Sequence, residues 1–184
     1  MKFLAAHTAH SPATYFTLPD TALTQGGKPF FLPEDAEAGG GCEALPCVAL
    51  RIDRQGRSIG ARFAGRYYSQ AAPSCRFVLP ARLQRLRREG LPWDEAVGFD
   101  GAVCVGTFSP VETGETLHVS VAGHGLEITP DAIHAHIAAA SRIFTFHQGD
   151  ILLLSDGAAP FPATIGRHID GTLQGAPALS FNVK

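Results

Sequence analysis

What most limits the fold of this chain is its punctuation: apolar runs are short, and glycine, proline or a polar turn ends nearly every one. CVALRID at 47–53 and the runs at 75–79, 102–105, 117–121 and 151–154 are each of strand length and bounded by turn signals, the pattern of buried or half-buried β-strands. In 117–121, Leu117, Val119 and Val121 alternate with His118 and Ser120, as a strand does when one face is buried and the other is wet. Residues 169–183 read as two more short strands about a turn at Gly175, and residues 2–6 as a first strand. Between them and residue 41 the turn signals Ser11-Pro12, Pro19-Asp20, Gly26-Gly27 and Gly39-Gly40-Gly41 crowd together, so little regular structure is expected there.

Helical spacing occurs in three places. Ile59, Phe63 and Tyr67 recur at intervals of four, predicting a short amphipathic helix. Pro80 opens and Gly90 closes an arginine-rich helical segment. Thr129 as N-cap, Pro130 at the first helical position and Asp131 in the first turn start a helix through Ile133, Ile137 and Ala140 to about Ile143. Many short strands with about three short helices define an α+β fold with a mixed or antiparallel sheet. The 184 residues suit one domain spanning 1–184, since ~100–200 residues per domain is usual.

The composition, 45% hydrophobic and 17% charged, supplies a core and excludes a disordered chain. A net charge of −2 and a pI near 6.4 leave no electrostatic footprint for nucleic acid or an anionic membrane. Arg82, Arg85, Arg87 and Arg88 surround Leu83 and Leu86 on the second helix and read as its solvated face. No apolar stretch approaches the ~18 residues of a membrane span, and the apolar start is too short for a secretory signal; a cytoplasmic protein is expected. In that reducing setting Cys42, Cys47, Cys75 and Cys104 are expected as free thiols.

Chemistry-bearing patterns are sparse. His134 and His136 lie two apart on the third helix, which at ~100° per residue puts them on nearly opposite faces and excludes a shared metal. Cys42 and Cys47 lack the second cysteine or histidine pair of a structural zinc site. No G-x-S-x-G occurs, and Gly123-His124-Gly125 reads as a turn. Asp94 and Glu95 after Trp93 suit a helix N-terminus. From the residues alone, no catalytic constellation emerges.

Five stretches nevertheless resemble the short bacterial members of the fumarylacetoacetate hydrolase family, in the family's order: GGKPFFLP at 26–33, ARFAGRYY at 61–68, LQRLRREGLPW at 83–93, GFDGAVCVGTF at 98–108 and GDILL at 149–153. With the terminal GRHIDGTLQGAPALSFNVK the resemblance covers nearly the whole chain. It implies that family's C-terminal-domain-like fold, with a mixed sheet or β-roll core. It also implies Mg²⁺ or Mn²⁺ held by a Glu-x-Glu pair on one strand and an Asp on its neighbour. Residues two apart on a strand share a face, so both carboxylates reach one hard cation, which polarises a 1,3-dicarbonyl or 2-oxo acid for cleavage, hydration, decarboxylation or isomerisation.

Carried over residue by residue, those ligand positions fall on Leu45, Cys47 and Arg76. A permanent positive charge at the third repels a divalent cation. The family's lysines become Leu18 and Val97, and its T-G-T-P turn becomes Leu154-Ser155-Asp156-Gly157. The N-Y-x-x-H stretch of hydrolytic relatives shortens to Thr8-Ala9-His10, with His10 its remnant. The framework thus matches while the chemical positions differ. The implied protein is a pseudoenzyme with no metal or other cofactor, using the old pocket or dimer surface for binding or regulation. Its expected partners are a second copy in a homodimer, an active paralogue and a small anionic ligand. Two alternatives stand beside this: a metal-dependent hydrolase or decarboxylase of acylpyruvate-like 2-oxo acids, and an enzyme rebuilt around His10, Glu43, Cys47, Cys75 and Arg76. In the latter, a thiol next to arginine is expected to have a lowered pKa.

Overall fold

The computed structural model describes residues 1–7, 13–25, 27–34 and 36–184; His10, the Ser11-Pro12 signal and Gly26 lie outside them. The longest strands, β4 (Glu43–Ile52) and β5 (Tyr68–Val78), follow β1 (Phe3–His7), β2 (Thr14–Leu18) and β3 (Leu23–Gln25). Downstream come the short β6 (Val103–Val105) and β7 (Ser109–Pro110), then β8 (Leu117–Val121), β9 (His124–Ile128), β10 (Ile151–Leu154), β11 (Phe161–Pro162), β12 (His168–Leu173) and β13 (Ala176–Asn182). One mixed sheet runs β2-β1-β10-β4-β5-β6-β3, with β11 added to β4 and β7 to β5; a second, antiparallel sheet runs β13-β12-β8-β9.

The alternation of the first sheet sorts its side chains onto two faces. Leu4, Val48, Leu50, Ala71, Cys75 and Phe77 pack toward the second sheet and toward Ile133 and Ile137 of the last helix. Phe3, Ala5, Ala49, Ala72, Val103 and Leu153 turn the other way, toward Leu86, Trp93, Ala96 and Val97. The helices are α1 (Pro80–Glu89), α2 (Asp94–Val97) and α3 (Pro130–Ile143), so the architecture is the expected α+β. Pro80 occupies the first turn of α1 and Gly90 ends it at φ 67°. The Thr129 side chain accepts from the Ala132 N–H at the start of α3. Both antiparallel hairpins of the second sheet turn through two residues at positive φ, Ala122-Gly123 and Gln174-Gly175, as two-residue type I′ loops require.

Two expectations are corrected. Residues 59–67 form a 3₁₀ turn, Ala61–Arg66, rather than an amphipathic helix. The tighter three-residue period takes Phe63 off the face of Ile59: Ile59 is buried, whereas Phe63 is 39% exposed with the Arg62 and Arg66 guanidinium carbons 4.5 and 5.2 Å from its ring centre. The N-terminal forty residues also hold more regular structure than their turn signals suggest, because β2 pairs with β1 and β3 with the distant β6. Such pairing is invisible to local propensity. No helix among the described residues is long and apolar enough to cross a membrane.

Candidate functional site

The long β4–β5 pair builds the site. Its register sets Glu43 opposite Val78, Leu45 opposite Arg76 and Cys47 opposite Ser74. These positions all lie on the face of the sheet turned toward α1 and α2; Glu43, Leu45, Arg76 and Val78, with Phe16 of β2 and Trp93 before α2, bound a cavity of about 170 Å³. Leu83 and Arg87 of α1, Val97 of α2 and Pro160 complete its lining. Phe16 and Trp93 meet edge to face with ring centres 5.0 Å apart. Arg76 is only 6% exposed, and its guanidinium carbon lies 5.2 Å from the centre of the Phe16 ring.

Burial lowers the Arg76 pKa from its ordinary value, and the Cys47 sulfur beside it acts the other way. No carboxylate of the described residues pairs with Arg76. The neighbouring Cys47 thiol donates to the Leu45 carbonyl at 3.3 Å. Its pKa is pushed up to about 11 by burial, although Arg76 opposes the rise. The expected lowering beside arginine is therefore corrected: desolvation outweighs the guanidinium, and Cys47 is a protonated thiol at neutral pH. Cys75 is raised well above 9.0, chiefly by burial, and belongs to the opposite face with Val48 and Phe77. It is not part of the constellation with Glu43, Cys47 and Arg76. All four cysteines are free and buried.

Of the other positions singled out in the sequence, Val97 lines the cavity. Leu18 is buried beside Gly98 and outside the lining. Leu154 joins the core between the sheets, Ser155 is buried, and His10 lies outside the described residues. Asp156 belongs to an arrangement the sequence reading missed. Its carboxylate accepts from His136 Nε2 at 2.7 Å, and His136 Nδ1 meets the Tyr15 hydroxyl at 2.8 Å. Burial first, and Asp156 second, raise the Tyr15 pKa to about 12. The three residues come from β2, α3 and the turn after β10, so no local spacing relates them. One signal was present: His136 falls on the Ile133–Ile137–Ala140 stripe of α3, and a buried imidazole requires partners.

A larger cavity, about 460 Å³, is bounded by Met1, Leu23, Arg51, Val105 to Phe108, Gly149 and Ile151 and shares no lining residue with the first. Among the described residues, no group of three or more His, Cys, Asp or Glu side chains is placed to hold a metal ion.

No family model and no curated protein matches the chain by sequence. Solved structures match it over its whole length. A fumarylacetoacetate hydrolase family protein from Yersinia pestis superposes with a TM-score of 0.82 at 21% identity, covering 100% of this chain and 93% of that one. Fumarylpyruvate hydrolase from Pseudomonas aeruginosa, solved with Mn²⁺ and pyruvate, gives 0.83 at 18% identity over 100% and 88%. A 5-carboxymethyl-2-hydroxymuconate delta-isomerase from Mycobacterium smegmatis gives 0.79 at 20% over 99% and 78%. The architecture is thus that of a class of α+β hydrolases and isomerases. This chain has the fold of the fumarylacetoacetate hydrolase family.

Proposed function

We propose that this chain is a metal-independent protein on the fumarylacetoacetate hydrolase fold, using the pocket between β4, β5 and α2 for binding or regulation in place of the family's chemistry. The observation that carries this reading is the cross-strand pair Leu45–Arg76 with Cys47 beside it. The resemblance assigns the family's three metal-ligand positions to these residues; strand pairing puts them on one face of the sheet, with Leu45 and Arg76 lining the cavity and Cys47 beside Arg76. The residues present do not fit a hard divalent cation. Mg²⁺ and Mn²⁺ take oxygen donors, carboxylates above all; here they would meet an alkyl chain, a protonated thiol and a guanidinium. Glu43 supplies the lining's single carboxylate, too little against the hydration of such an ion. A cytoplasmic setting suits four unpaired thiols, and a homodimer, alone or with an active paralogue, is the assembly we propose.

Titration with Mn²⁺ followed by electron paramagnetic resonance tests the reading directly. The wild-type protein is expected to leave the ion free in solution, while the triple variant Leu45→Glu, Cys47→Glu, Arg76→Asp is expected to gain a stoichiometric site. Tight Mn²⁺ binding by the wild-type chain, with acylpyruvate turnover that a chelator abolishes, overturns it.

A further inference from the structure

Arg76 presents an unsolved electrostatic balance. A guanidinium does not lose its proton in a protein, and burying a charge without a partner costs several kcal/mol. Yet Arg76 is 6% exposed and faces a cavity, with an aromatic ring beside it and the neutral Cys47 thiol, which carries no charge to balance it, as its side-chain hydrogen-bond partner. Of the other charged residues in the lining, the half-buried Glu43 and the exposed Arg87 carry opposite charges that cancel in the count. The interior is therefore left with one positive charge.

The rest of the lining is apolar: Phe16, Leu45, Val78, Leu83, Trp93 and Val97. At about 170 Å³ the space is smaller than the roughly 300–1,000 Å³ of sites for drug-sized ligands. An occupant must be small, singly anionic at one end and apolar over the rest. The planar fork of a guanidinium matches a carboxylate with two parallel hydrogen bonds. A phosphate would bring up to a second negative charge, and the cavity lining offers no further interior cation for it.

We infer that this pocket binds a small monocarboxylate, its carboxylate received by Arg76 and its compact apolar body lying against Phe16, Leu45 and Trp93. The inference rests on the metal-independent reading above, because a divalent cation and its acidic ligands would need the same space.

Trp93 is the only tryptophan and lines the cavity, so intrinsic fluorescence reports occupancy from a single source. The probes are benzoate, its neutral isostere benzamide, and acetate, which keeps the charge but lacks the body. Benzoate is expected to change Trp93 emission saturably and to raise the melting temperature of the wild-type protein, at least about tenfold more tightly than benzamide or acetate. Arg76→Met is expected to lose at least about tenfold in benzoate affinity, and to melt no lower than the wild type without ligand, because the unpaired buried charge is gone. Arg76→Lys is expected to fall between the two, keeping the charge and losing the fork.

Benzamide binding as tightly as benzoate, undiminished benzoate binding by Arg76→Met, or no saturable response to benzoate would overturn the inference. The Mn²⁺ titration separates the two failures. A wild-type protein that binds neither Mn²⁺ nor benzoate sinks only the carboxylate site, while one that binds Mn²⁺ stoichiometrically sinks the reading beneath it.

Discussion

His136 is held at both ring nitrogens, by Tyr15 on one side and Asp156 on the other, within a buried helix face that it shares with Ile133, Ile137, Ala140 and Ser141. An imidazole there is tolerated because both of its polar atoms are satisfied; removing the acceptor strands one of them. Asp156→Ala is therefore expected to lower stability by about 1–3 kcal/mol, read as a shifted urea midpoint with an unchanged m-value. Cys47 makes a second prediction at this scale. With its pKa pushed up to about 11 by burial, it is expected to resist thiol reagents at pH 7 and to react with the other three cysteines only on unfolding, measured by the kinetics of thiol labelling with and without denaturant. The site was legible in part at this level. Residues 45, 47 and 76 are reached only through the resemblance, by counting back from CVALRID and without a gap from RYY to GLPW. Period two puts 45 and 47 on one face, while the side on which 76 meets them comes from the β4–β5 register. The Tyr15–His136–Asp156 chain could not be read, since its members meet only after three elements have packed.

Among the elements, the junction between the two sheets is the most tightly specified. Gly106 follows β6, where an added Cβ would come within 2.3 Å of the Ala178 carbonyl oxygen of β13, and the next residue, Thr107, donates from its backbone N–H to that same oxygen at 2.7 Å. Backbone cannot yield as a flexible side-chain tip can, so Gly106→Ala is expected to cost more than the roughly 1–3 kcal/mol of ordinary core overpacking, measured by chemical denaturation. By contrast, Thr129→Ala at the start of α3 removes one side-chain cap and is expected to cost about 1 kcal/mol. Helices α1 and α3 could be read from sequence because proline, glycine and threonine mark their ends through local backbone physics. β2 and β3 could not, because short strands at the two edges of a sheet owe their existence to partners elsewhere in the chain. The 59–67 segment misled because intervals of four describe an α-helix, and this piece is wound more tightly.

For the molecule as a whole, the buried acids set an alkaline limit. In the unfolded chain the thiols titrate near 9.0, whereas burial holds Cys47 at about 11 and Cys42 and Cys104 at about 12. Tyr15 and Tyr68 rise from 10.0 to about 12 for the same leading reason. Between these limits the folded state binds more protons than the unfolded one, so stability must fall as pH rises. Melting temperatures are expected to decline from about pH 9 upward, and a flat profile from pH 8 to 11 would contradict the burial of these groups. Light scattering on the purified chain checks the proposed dimer. The sheet order carries a further consequence for how such a molecule is made. β1 lies between β2 and β10 and runs parallel to a strand that begins at residue 151, and Lys2 pairs with Asp150. A nascent chain leaving the ribosome therefore holds β1 with one edge uncovered until the strand that starts at residue 151 has been made. Closure across so long an interval is slow, which makes that exposed edge the place where chaperones, or aggregation, would act first.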